Sequence, residues 1–357
     1  MTAPNVRIAS IAPRAGHRSP RIDRSAVSTA AISVPSRLRR WQERRRRTDS
    51  LCLRQPALLR RVIAATQETI LGPLVTPQTF ELSTPGAALA SGRREYEDGP
   101  SFFAHFHGRL TLEDLRGRDV LDLGCGYGGR TAYYAREGQV REIHGIDISE
   151  QMVHRCALLA RELGVPRARF ETGRAEALPY GDASFDLVLS YDVLEHVEDP
   201  ATSLLEIARV LRPGGAAWLV FPSYLGALSS HLDYLTRIPA LHRVFDPLTI
   251  IEVVNEFLAA EPERLGVALQ PPPRMTPVGR EALPSLNGMC AREATQYVHR
   301  SGLVIAHQFV APIAHPLSRH LCLRAISRPL GYVADRRGLP DLLISSLSLG
   351  LRRPLNP

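Results

Sequence analysis

A chain of 357 residues is long enough to bury a full core and exceeds the usual one-domain span of about 100 to 200 residues, and 44% hydrophobic against 22% charged residues excludes disorder throughout. The formal charge of +8 does not by itself indicate nucleic acid, because residues 1–61 carry 15 arginines against three acids while the rest carries 29 arginines against 33 acids. Cys52, Cys125, Cys156, Cys290 and Cys322 are widely spaced and include no Cys-x-x-Cys pair, which argues against a disulfide framework and a metal site. No apolar run reaches about 18 residues, so no membrane span is expected, and the location expected is cytoplasmic.

Residues 1–54 are rich in Arg and Ser and are expected to form a disordered tail, with a targeting segment or a tether to an anionic partner as alternatives. Residues 55–117 should supply N-terminal helices that act as a partial lid. The first runs from about Gln55 with Leu58, Leu59, Val62, Ile63 and Ile70 at helical spacings, before Gly72-Pro73 stops it. A second is expected over Phe102 to Leu115.

Strands then alternate with helices over residues 118–222. Val120 to Leu123 reads as a buried strand, Gly129 to Glu137 as a helix, Glu142 to Asp147 as a strand, and Ser149 to Leu163 as a helix capped by Ser149. Arg167 to Glu171, Phe185 to Ser190 and Ala216 to Phe221 are further strands. Between the last two, Asp199 caps a helix, Pro200 suits its first turn, and Pro213-Gly214-Gly215 should end it. Such alternation predicts a doubly wound α/β domain: a mostly parallel, seven-stranded Rossmann-like sheet with an antiparallel last strand. Residues 223–287 form an insertion with Tyr224, His231, Asp233, Tyr234 and His242 near apolar residues, read as a helical lid and acceptor-binding segment. In residues 288–357 a helix is expected at Met289 to Arg300 and a strand at Leu303 to Val310. Leu347, Leu349 and Leu351 alternate with small or polar residues as in a half-buried last strand, the alternative being an amphipathic surface helix over 341–353.

The segment Asp122 to Gly129 follows a strand and opens a helix, so its glycines permit a tight turn and close approach to a ligand. Gly124, Gly126 and Gly129 also fit a dinucleotide fingerprint, and Asp147 at the end of the second strand would accept ribose hydroxyls of either cofactor. Asp122 separates the two, since a carboxylate at the mouth of the loop repels a pyrophosphate and favours the ammonium of S-adenosylmethionine.

Val120 to Gly126, Gly145 to Ser149, Ala175 to Pro179, Ser184 to Val188, Leu194 to Val197 and Leu211 to Gly215 together resemble the class I S-adenosylmethionine-dependent methyltransferases, in particular the type 11 group that includes quinone-biosynthesis methyltransferases. By that resemblance Gly124, Cys125, Gly126 and Gly128 lie at the amino-acid end of the cofactor, Asp147 holds its ribose, and Ile148 and Met152 flank the adenine. Ala175 and Glu176 border the adenine edge. Arg174 stands where many relatives carry an Asp that accepts from the adenine amino group.

Methyl transfer is an in-line displacement that depends mainly on alignment, so a sparse catalytic apparatus is expected. His196, beyond the fourth strand, is the first candidate for a base, with His231 and Asp233 as the second. Tyr191 and Asp192 should border the methyl donor, and Cys125 is expected to pack rather than to react. The acceptor implied is a small, partly apolar molecule, a metabolite, quinone, sugar or lipid-linked precursor methylated on oxygen or carbon. An RNA acceptor and a non-enzymatic cofactor-binding regulator are the alternatives.

Overall fold

The computed structural model describes residues 53, 55–67, 85–226, 241–245, 249, 250, 253, 256, 287–312 and 344–355. Three helices come first: α1 (Pro56–Gln67), α2 (Pro85–Glu97) and the single turn α3 (Ser101–Ala104). There follow β1 (Asp119–Leu123), α4 (Gly129–Glu137), β2 (Glu142–Asp147), α5 (Glu150–Glu162), β3 (Ala168–Thr172), β4 (Phe185–Tyr191), α6 (Pro200–Val210) and β5 (Leu211–Pro222). The described chain ends with α7 (Ala291–Ser301), β6 (Val304–Pro312) and β7 (Ile344–Arg352).

The strands make one seven-stranded sheet in the order β3-β2-β1-β4-β5-β7-β6. Strands β1 to β5 run parallel, and β7 pairs antiparallel with both β5 and β6. The doubly wound α/β sheet expected from the sequence is therefore the observed one. Apolar clusters cover both faces. Leu121, Val188, Leu219 and Leu349 pack with Leu204 and Ile207 of α6 and Val298 of α7 on one side. On the other, Val120, Leu187, Leu189 and Trp218 pack with Phe102, Phe106 and Tyr134. Because neighbouring residues of β1 and β4 point to opposite covered faces, each strand carries a run of consecutive apolar residues, Val120-Leu121 and Leu187-Val188-Leu189.

Local signals set several boundaries. Ser149 caps α5 by accepting from the Met152 N–H, and Asp199 caps α6 by accepting from Ala201 and Thr202, each cap contributing about 1 kcal/mol. Three expectations are corrected. The helix over Phe102 to Leu115 is interrupted, because His107 and Gly108 take positive φ values of 48° and 79°, and a 3-10 turn at Leu112–Leu115 follows with Thr111 and Asp114 in a capping box. Phe102, Phe106, Leu110 and Leu115 are all buried in this broken form. The α6 helix stops at Val210, before Pro213-Gly214-Gly215, and these three lie inside β5, where Gly214 and Gly215 hydrogen bond with Arg353. The last strand is not half-buried: Leu347 to Leu351 are all buried, since β7 enters between β5 and β6 and has no free edge. It is not a surface helix. Helix α2, opened by Pro85, was missed altogether.

Of the tail only Leu53 is described, and its N–H donates to Val244 O at 2.8 Å. Arg60 on α1 pairs with Glu256 at 2.6 Å. The first helix and the insertion thus touch. The rest of the tail, Ile70, Gly72-Pro73, and His231, Asp233 and Tyr234 of the insertion lie outside the described residues. Among the described residues no helix is long and apolar enough to cross a membrane.

Candidate active site

The sheet order reverses at β1, whose neighbours are β2 and β4, and the crevice beyond the carboxyl ends at such a switch point is where open α/β sheets bind ligands. The segment Gly124 to Gly128 fills that position. Gly124 N and Cys125 N donate to Ile146 O at 2.8 and 3.0 Å, which ties the loop to the end of β2. Gly124 has φ 76°, and a Cβ there would lie 2.2 Å from Val193 Cγ2, so only glycine fits. At Gly126 a Cβ would project into open space bounded only by Glu95 Oε1 at 3.6 Å. That space is a cradle of the kind a ligand enters against bare backbone. Gly128 is the N-cap of α4.

Asp147 closes the far side. Its Oδ2 accepts from Gly126 N at 3.1 Å and its Oδ1 from Ser149 N at 2.9 Å. Burial raises its pKa, opposed by these backbone donors and that of Ile148. Each carboxylate oxygen keeps acceptor capacity for a hydroxyl. Asp122 lies deeper, buried, accepting from the Thr131 hydroxyl. Burial pushes its carboxyl up to about 6.

Helix α2 brings in residues the sequence reading did not single out. Gly129 lets α4 approach the backbone of α2, while the missing side chain of Gly92 leaves room for Tyr127 and for Leu159 of α5, and Glu95 Oε2 then accepts from Gly129 N at 3.2 Å. Burial pushes the Glu95 carboxyl up to about 7 against the lowering effect of Arg130. Arg130, in the first turn of α4, lies with its guanidinium carbon 4.4 Å from the centre of the Tyr191 ring, a cation–π contact. The Tyr191 hydroxyl is 3.4 Å from His105 Nε2, and burial pushes its pKa up to about 12. Asp192 follows at φ 55°, held by its N–H to Val220 O at 2.8 Å, a strained backbone of the kind that concentrates at functional sites. A legible signal for Glu95 and Arg130 existed only in part. Arg130 adjoins the glycine motif, but Glu95 is 34 residues upstream of its partner Gly129.

The structure gathers Asp122 of β1 and Asp147 at the end of β2 around the loop of Gly124, Cys125, Gly126 and Gly128, with Tyr191 and Asp192 at the neighbouring strand end. Ile148 is 65% exposed despite its apolar side chain, while Met152 is half-buried one turn into α5. Ala175 is buried. Glu176 is turned toward the following loop, where its Oε1 accepts from Glu198 N at 2.7 Å and Asp199 N at 3.3 Å. Arg174 pairs with Glu198 at 2.8 Å and lies 3.5 Å from Glu176. The Cys125 thiol is buried, and contact with Cys156 and burial raise its pKa well above the ordinary thiol value, which opposes nucleophilicity. His196 lies in the turn after β4, 37% exposed, with Nε2 3.7 Å from Glu195 Oε1. In the insertion, His242 is buried against the Tyr224 ring. Burial and Arg243 hold its imidazole down at about 4, hence neutral.

Residues 121–219 match the family model described as a methyltransferase domain. Over 111 residues the chain is 40% identical to the ubiquinone biosynthesis O-methyltransferase of Paracidovorax citrulli, covering 31% of this chain and 45% of that one. It is 36% identical over 110 residues to the phthiotriol/phenolphthiotriol dimycocerosates methyltransferase of Mycobacterium tuberculosis, 31% of this chain and 40% of that one. It is 34% identical over 110 residues to the fatty-acid O-methyltransferase of Mycolicibacterium smegmatis, 31% of this chain and 39% of that one. The chain therefore matches less than half the length of each of these relatives.

Proposed function

We propose that this chain, which carries a methyltransferase domain over residues 121–219, transfers a methyl group from S-adenosylmethionine to an oxygen or carbon of a small, partly apolar acceptor. The observation that carries the reading is the Asp147 carboxylate held by the Gly126 amide at the switch point of the sheet, beside a cradle free of side chains. Asp147 is suited to accept ribose hydroxyls, and exposed Ile148 offers an apolar face to an adenine. The buried carboxylate of Asp122 and the half-buried one of Glu95 favour a cationic ligand over a pyrophosphate. Bound there, the cofactor supplies an electrophilic methyl on a sulfonium.

The residues near the amino-acid end contribute alignment and exclusion of water. Tyr191 and His105 wall that end, and His196 is the residue assigned to take a proton from an acceptor hydroxyl. The insertion, touching α1 through Arg60–Glu256 and the residue Leu53 before it through Val244, is assigned to the acceptor. The relatives' names include a quinone pathway, a long-chain lipid and a fatty acid, which supports an apolar acceptor for this chain too. Thermal unfolding with S-adenosylmethionine or NAD is the first test. Stabilisation by the former alone is expected, and stabilisation by NAD alone would refute the reading. Labelled S-adenosylmethionine incubated with cell extract would then identify the methylated product.

A further inference from the structure

We infer that Arg130 and Glu95 form a paired-charge clamp for the amino-acid end of the cofactor, Arg130 taking its carboxylate and Glu95 its ammonium. The inference rests on the reading of the cleft as an S-adenosylmethionine site.

Arg130 is a largely buried charge whose ion pairs are loose. Its side chain is only 23% exposed, and its Nε is shut off from solvent with no hydrogen-bond partner among the described residues. The carboxylates beside it stay at arm's length, Glu95 Oε1 at 3.9 Å from Nη1 and Asp98 Oδ2 at 3.7 Å from Nη2. Arg174 and Arg209 close fully on an acid, at 2.8 Å to Glu198 and 2.7 Å to Glu206, and the arginines that stand off as far as Arg130, Arg116 from Glu113 at 3.7 Å and Arg136 from Glu137 at 3.9 Å, are exposed. A guanidinium presents a planar fork that matches a carboxylate with two parallel hydrogen bonds. Here the fork is held in place by the Tyr191 ring rather than consumed by a partner.

Glu95 is the complementary half. Its Oε2 is fixed by Gly129 N, whereas Oε1 borders the open space over Gly126. Two opposite charges separated by 3.9 Å without a hydrogen bond match a zwitterion whose ammonium and carboxylate hang from one carbon. The groups facing Glu95 are Arg130 and Asp122, with the backbone of Tyr127 and Gly129.

Calorimetry on the full chain with S-adenosylmethionine, S-adenosylhomocysteine and 5′-methylthioadenosine tests the clamp, because the last lacks the amino-acid group. Arg130→Gln should weaken the first two by about 10- to 100-fold, the range of a lost charged hydrogen bond, and leave methylthioadenosine within about twofold. Arg130→Lys keeps the charge without the fork and should show a smaller loss of the same selectivity; it provides the comparison if Arg130→Gln fails to fold. Equal loss for all three ligands, or no loss in a variant whose wild type binds all three, overturns the clamp alone. A wild-type chain that binds none of the three overturns the methyl-donor reading and the clamp with it.

Discussion

Replacing Gly129 by Ala tests whether helix α2 belongs to the cofactor site. An ideal Cβ at Gly129 would lie 1.9 Å from Gly92 O, 2.6 Å from Glu95 Cβ and 2.7 Å from Tyr96 N. All three obstacles belong to α2, and two are backbone atoms, so no rotamer change relieves the clash. Restoring ordinary contact of 3.4 Å requires α2 to retreat by about 1.5 Å, which packed interiors resist. The retreat loosens the Tyr96–Tyr133 edge contact at 5.7 Å and the Glu95 bond to Gly129 N. Overpacking of this kind costs about 1 to 3 kcal/mol, while alanine returns at most about 1 kcal/mol of helix propensity. A fall in Tm of roughly 2–8 °C is expected for a domain of this size, with weaker S-adenosylmethionine binding. Gly164→Ala is the control, since φ there is 64° and nothing lies within 4 Å. It should cost about 1 to 2 kcal/mol from the left-handed backbone without changing cofactor affinity. Differential scanning calorimetry and ligand titration measure both quantities. A Gly129→Ala protein as stable as wild type, with unchanged affinity, would refute the packing argument and the placement of α2 over the loop.

Asp147→Ala should abolish detectable S-adenosylmethionine binding and lower stability by about 1 to 3 kcal/mol, because the Gly126 and Ser149 amides lose their acceptor; titration beside circular dichroism checks both, and near wild-type affinity would contradict the ribose assignment. Glu95 at about 7 and Asp122 at about 6 lie above their ordinary values of 4.5 and 3.8. The folded chain thus binds more protons than the unfolded one between about pH 4 and 7, and stability from these groups is present at low pH and lost as pH rises through that window. Denaturant midpoints across it should flatten in Glu95→Gln, and a slope identical to wild type would count against the burial of this carboxyl. His196→Ala should lower turnover at least about tenfold with little change in cofactor affinity if the side chain is the base, and a normal rate would remove it from that role.

The core was legible because its signals are local. Period and punctuation placed α4 and β2 to the residue, and Ser149 and Asp199 announced their helices through side chains that reach only two or three residues along. The glycine loop and Asp147 were visible for the same reason: a strand, a tight turn and a helix are contiguous. The Phe102 to Leu115 expectation failed because apolar residues at helical spacing do not forbid a chain reversal, here at His107 and Gly108. The depth of β7 also escaped, because alternation reports the two faces of a strand and not whether both its edges are paired.

By itself, then, the sequence determined a doubly wound sheet and a glycine loop ending at a carboxylate, both products of contiguous residues. Tertiary structure alone decided what stands opposite that loop. Glu95 meets Gly129 across 34 positions, and Arg130 meets Tyr191 across the gap between helix and sheet. No periodicity encodes such meetings, because they arise from tertiary packing, in which two helices close where Gly129 lacks a side chain.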